Sequence, residues 1–174
     1  PSIKKNLEGG GLYRLKGNFD NYKIEKLYSG NCHGLLFRNK SNIFITDVNE
    51  GIVKLNLKGK IISKIEISKK WRPHGITTND YKTFYLALSD DDSVISIDSS
   101  GKIINKFKII SKIKKDKFPR HHLNDVCYYK GSLYLSMFSI NGTWKSGKFD
   151  GGILKLNLRN KKFLKIMGKL TMPH

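Results

Sequence analysis

Helix signals are what this chain most plainly lacks. No stretch repeats its apolar residues at three- and four-residue steps behind a cap, which argues against a helical bundle or a doubly wound sheet. Cysteine is scarce. Cys32 and Cys127 are too few for the disulfide framework of a small secreted scaffold, and this usage favours a reducing compartment such as the cytoplasm. No apolar run approaches the roughly 18 residues of a membrane span. No secretory leader opens the chain; it starts at Pro1 rather than Met, so residues before it are expected. Acidic residues are few as well, 14 against 33 Lys and Arg, for a net charge of +19. A surplus of that size can mark a nucleic-acid or anionic-membrane partner. Here the basic residues are mostly lysines scattered over turns and exposed strand positions, and the tightest run, 111–120, is broken by Asp116. No helix or aromatic-basic sheet motif accompanies it, so the charge reads as composition, with a nucleic-acid partner the minor alternative. A nucleophile elbow, a phosphate loop, zinc-finger spacing and HExxH are all missing.

What is present is a repeat. Aligned on "HGLLF", "HGITT", "HLNDV" and the terminal "MPH", the chain places His33, His74, His122 and His174 at separations of 41, 48 and 52 residues. Each unit then reads alike. A short apolar strand is followed by a turn such as "RNKSN", an apolar strand such as "TFYLALS", a Gly or Asp turn, a period-2 strand such as "GIVKLNL" and a last strand such as "KIISKIEI". β-Branched and aromatic residues dominate the strands. Four short antiparallel strands per ~40–50 residues is the blade of a β-propeller. The fold class expected is therefore all-β, an incomplete arc of about three and a half blades from a six-bladed ring. Residues 1–30 supply the second half of a blade, 31–70, 71–118 and 119–170 one blade each, and 171–174 the start of another. The third whole blade carries an insert at 139–152.

The first strand of a propeller blade lies nearest the axis, so residues repeated at its start converge on one mouth of the channel. His33, His74, His122 and His174 are the ring of candidates. A repeated histidine can equally be structural, bonding the backbone of the next blade. Imidazole serves hydroxylated or anionic ligands by hydrogen bonding and is also the commonest metal ligand. Strand parity puts His122 with Asn124 on one face and His121 with Asp125 on the other. Asn124 and Asp125 suit a hydroxylated ligand or a hard cation, or else tie a turn. His122, Asn124 and Asp125 are thus the candidates for a divalent metal. In the insert, Trp144 could stack on a sugar ring or cap the core. The run "SDDDS" at 89–93 reads as a solvated hairpin turn.

"NCHGLLF", "HHLNDVCYYKGSLYLSMFS", "GTWK", "DGGIL" and "TMPH" together resemble an uncharacterised bacterial propeller family, DUF4915, over residues 31–174. The resemblance implies a β-propeller, brings no reaction with it, and expects a Ser-Pro beyond His174. More widely, "LNDV…KGSLYLSMF…GGILKLNL" is similar to a segment of the SMP-30/gluconolactonase propellers, whose channel-bound divalent ion, held by Glu, Asn and Asp, hydrolyses sugar lactones. Asn124 matches their Asn. Ser136-Met137 stands where those enzymes have Gly-Thr-Met, and no matching Glu starts a blade. Plain NHL-type repeats look similar too and imply a protein-interaction scaffold. Three functions follow as expectations. The first is a binding module taking a small polar ligand or glycan through His33, His74, His122, Asn124, Asp125, Trp144 and His174. The second is a metal-assisted lactone or ester hydrolase, and the third a scaffold for a protein partner.

Overall fold

The computed structural model describes residues 10–18, 20–38, 41–68, 70–109, 121–144 and 150–173. His174 and the basic run 111–120, both singled out above, lie outside them. Among the described residues there is no α-helix, and none that is long and apolar enough to cross a membrane. Strands β1 (Gly11–Asn18) and β2 (Asn21–Ser29) pair as a hairpin. Three four-stranded antiparallel meanders follow. The first is β3 (Cys32–Arg38), β4 (Asn42–Asp47), β5 (Gly51–Asn56) and β6 (Ile61–Ile65). The second is β7 (Pro73–Thr78), β8 (Phe84–Leu88), β9 (Ser93–Ile97) and β10 (Ile103–Lys108). The third is β11 (Leu123–Tyr129), β12 (Ser132–Met137), β13 (Gly151–Asn157) and β14 (Phe163–Leu170). The first strands β3, β7 and β11 lie side by side across successive sheets. That is an arc of propeller blades, the fold class the repeat implies.

Alternation explains why the sheets stack. Along β8, "FYLAL", Phe84, Leu86 and Leu88 join one core cluster while Tyr85 and Ala87 join the next. All five are buried, because a sheet between two neighbours has no solvent face. Three apolar clusters result, one at each sheet-to-sheet junction. In "GIVKLN" the alternation holds with a refinement: Val53 and Leu55 enter the first junction, whereas Ile52 enters the second, where Lys54 lies 5.8 Å from the Phe44 ring centroid.

One irregularity recurs and decides where the site sits. In each four-stranded sheet the first strand carries one residue more than its partner near its start. Cys32 pairs with Asp47 and Leu35 with Ile45, leaving His33 and Gly34 opposite Thr46 alone. Pro73 pairs with Leu88 and Ile76 with Leu86, leaving His74 and Gly75 opposite Ala87. Leu123 pairs with Met137 and Val126 with Leu135, with Asn124 and Asp125 set against Ser136. Such bulges twist a strand and re-aim its side chains. Glycine is required at two of them by neighbouring backbone. A Cβ on Gly34 would stand 2.4 Å from the His74 carbonyl oxygen, and one on Gly75 would stand 2.7 Å from both Asp125 Cα and Val126 N.

Candidate functional site

The bulges deliver their side chains to one place. A cavity of about 650 Å³ opens where β3, β7 and β11 meet, with His33, His74, His122, Asn124 and Asp125 on its wall. The rings of His33 and His74 stack with centroids 4.3 Å apart. His122 stands edge-on to His74 at 5.6 Å. Trp144 bears on His122 at 4.2 Å and Phe138 does so at 4.5 Å. A continuous run of five rings thus reaches from His33, His74 and His122 on the cavity wall to Phe138 and Trp144.

The backbone around this run is itself cross-braced. Gly34 N donates to Thr46 Oγ1 at 2.6 Å, and Thr46 Oγ1 donates to the His74 carbonyl at 2.7 Å. Tyr128 N donates to Thr77 Oγ1 at 3.1 Å, joining the second and third sheets. Asn124 Nδ2 donates to the Pro173 carbonyl at 3.0 Å. Its Oδ1 lies buried without a hydrogen-bond partner among the described residues, and the residue is 4% exposed. That oxygen lies beside the His74 ring and weakly favours its protonated form, outside full hydrogen-bond geometry.

Electrostatics keep His33 and His74 uncharged at neutral pH. Burial lowers the His74 pKa to about 4, helped by the neighbouring His33 and His122 rings. Burial also lowers His33, with Asp47 working against it and Arg72 with it. Asp125 keeps an open edge to solvent, yet protein packed around its carboxyl raises its pKa, more than the hydrogen bond from Val126 N at 2.8 Å lowers it. Neutral imidazoles each offer one donor and one acceptor. With the carboxylate of Asp125, the wall is richer in acceptors than in donors.

The structure brings together His33, His74, His122, Asn124, Asp125 and Trp144. The repeat alignment needs two corrections. The residue standing in the bulge beside His33 and His74 is Asn124, not His122. His122 reaches the same cluster from two residues earlier, with a left-handed backbone at φ +49°. That turn, together with the extra residue in β11, also breaks the parity expected of 121–125: Asn124 and Asp125 both line the cavity. His121 is turned inward, 3% exposed, its Nδ1 2.8 Å from the Ser139 carbonyl. The Asp run at 90–92 is not simply a solvated turn. Asp92 is buried and accepts from His121 N at 2.9 Å, Asp91 pairs with Lys106, and Asp90 pairs with Arg72. Trp71 packs on the second core junction. Sequence reasoning missed Phe138 and Asp150; the close spacing of Ser139, Asn141, Thr143 and Asp150 was the available signal. Among the described residues no three His, Cys, Asp or Glu side chains gather as a metal set.

No protein-family model matches the chain, and no curated protein does. Solved structures match in fold. Virginiamycin B lyase from Staphylococcus aureus aligns with 15% identity and a TM-score of 0.58, over 91% of this chain and 50% of that one. A protein of unknown function from Bacteroides caccae aligns with 14% identity and a TM-score of 0.57, over 79% and 46%. A protein described as a candidate gluconolactonase aligns with 14% identity and a TM-score of 0.56, over 82% and 50%. The chain spans about half the length of these structures or less. At such identities the likeness is one of fold alone, that of a β-propeller.

Proposed function

We propose that the chain carries the binding mouth of a propeller that takes a small, uncharged, hydroxyl-rich ligand of the glycan class. One observation carries this reading: His33 and His74, kept neutral by burial, converge with Asn124 and Asp125 on the wall of one cavity. Ligand hydroxyls donate to the Asp125 carboxylate and bond the ring nitrogens of His33 and His74, while Asn124 backs the His74 ring. The motifs at 32–34, 122–124 and 172–174 support grouping the chain with the uncharacterised propeller family they resemble. The test is calorimetry of the chain against a panel of neutral mono- and oligosaccharides, with acidic sugars as controls. Neutral sugars should bind, and both Asn124→Leu and His74→Ala should weaken them at least about tenfold, some 1.4 kcal/mol. Unchanged affinity in both variants, with the fold retained, overturns the assignment.

A second reading, a metal-assisted lactone hydrolase, draws support from the fold likeness to the candidate gluconolactonase and from the motif position of Asn124. The described residues do not make up its metal set. Asp125 Oδ1 already accepts from Val126 N, and Asn124 contributes one neutral oxygen. Elemental analysis of the purified chain separates the two readings. Stoichiometric metal lost on Asn124→Leu favours the hydrolase.

A further inference from the structure

In the first two whole blades the second and third strands are joined by short turns. In the third, Phe138 leaves β12 and the chain returns only at Asp150, before β13. The two described ends of this excursion meet on one carboxylate. Asp150 Oδ1 accepts from Ser139 Oγ and, at 3.1 Å, from Thr143 Oγ1. Oδ2 accepts from Asn141 N at 3.2 Å and from Asn141 Nδ2. Thr143 N adds a bond to Ser139 Oγ at 2.8 Å, and Ile140 N one to the Asp150 carbonyl at 3.2 Å. Burial opposes the charge on Asp150, but the hydrogen bonds from Ser139, Asn141 and Thr143 outweigh it and hold the carboxyl below its usual range.

Two routes lead from this knot to one contact in the mouth. Ser139 pairs with His121 through both its N–H, at 3.1 Å, and its carbonyl, at 2.8 Å, and His121 precedes His122. Thr143 precedes Trp144. The knot therefore fixes both the strained, left-handed His122 and the Trp144 that bears on it at 4.2 Å. We propose that Asp150 is the positioning residue of the mouth, holding the insert so that Trp144 sets the orientation of the His122 ring against His74. The coupling stands on geometry; its consequence for affinity rests on the ligand-binding reading above.

Asp150→Asn tests it. Asn keeps the shape but replaces the charged acceptor of four donors with an amide, whose NH2 meets either the Ser139 and Thr143 hydroxyls, which must turn to accept, or the two Asn141 donors, so the knot loosens without a cavity. The His122 ring-proton resonances, assigned by His122→Gln, should move in Asp150→Asn toward their positions in Trp144→Leu. The resonances of His33, two rings away, should hold. Acylation of His122 by diethyl pyrocarbonate, read by peptide mass spectrometry, should accelerate several-fold in both variants. Ser139→Ala and Thr143→Val, each removing one donor, should give intermediate shifts. If Asp150→Asn melts cooperatively with the His122 resonances unmoved, the proposal fails; it fails equally if Trp144→Leu leaves them unmoved. Should Asp150→Asn not fold, the two single-donor variants decide in the same way. A sugar panel with no binding would defeat the earlier reading and leave these two ligand-free measurements standing.

Discussion

At the scale of single residues, His74 is the group whose chemistry the fold alters most usefully. Its ordinary pKa of 6.5 falls to about 4, chiefly by burial and then through His33 and His122, with Asp90 and the Asn124 oxygen resisting. The sign of the consequence follows from proton counting. Between pH 6.5 and 4 the unfolded chain holds a proton on this ring that the folded chain refuses, so stability rises with pH across that window. It is complete above the unfolded value and lost as pH falls toward 4. His33 acts in the same direction. Asp125, raised by burial, acts in the opposite one: its contribution is present in acid and lost as pH rises through its folded value. A difference measurement isolates His74. Urea denaturation of the wild type and of His74→Gln from pH 4 to 7.5 should show the wild type losing stability relative to the variant below 6.5. A difference that stays constant across that range would mean His74 is not held neutral by the fold.

At the scale of elements, the tie between the β8–β9 turn and the start of β11 is the joint most exposed to a single change. Asp92 has φ +46°, is buried, and accepts from the buried amide of His121. Asp92→Ala should cost about 1–3 kcal/mol for the orphaned amide and roughly 1–2 kcal/mol more for a left-handed alanine. Asp92→Asn keeps an acceptor and tolerates the backbone, and should lose clearly less. Equal losses in urea melts would assign the effect to charge rather than geometry. The joint also shows what a sequence can and cannot carry. Strands such as "FYLAL" and "GIVKLN" were legible because alternation is local, and so was the blade repeat, because the turn residues recur with it. The convergence of His33 and His74 followed from that repeat; His122 joins them from outside the equivalent position. Asn124 in the bulge did not follow from it, because one extra residue in a strand leaves no mark on the apolar pattern, and a left-handed His122 reverses the parity that the pattern suggests. The partners of Asp92 and Asp150 depend on loops that only the packed blades bring together.

At the scale of the whole molecule, two influences oppose each other. The hairpin β1–β2 turns Leu12, Leu27 and Tyr28 onto the first sheet junction. Its other face presents Tyr13, Leu15, Tyr22 and Ile24, with Leu15 and Ile24 paired across the strands at 66% and 63% exposure. At the far end of the arc β14 exposes Leu164, Ile166 and Met167. Apolar faces of this kind favour association. A net charge of +19 resists it, and that resistance is screened as the Debye length shrinks from ~30 Å at 0.01 M salt to ~10 Å at 0.1 M. The 174-residue chain should therefore sediment as a monomer at low ionic strength and associate increasingly as salt is added, the reverse of an assembly held by ion pairs. Leu15→Lys with Ile24→Lys places charge in the middle of the hairpin face, where the side chains meet no core, and should shift the onset of association to higher salt while leaving the melting temperature within a few degrees. Sedimentation velocity across a salt series decides between the two ends of the arc. If the double variant associates as the wild type does, the contact lies with β14, and Leu164→Lys with Ile166→Lys should remove it.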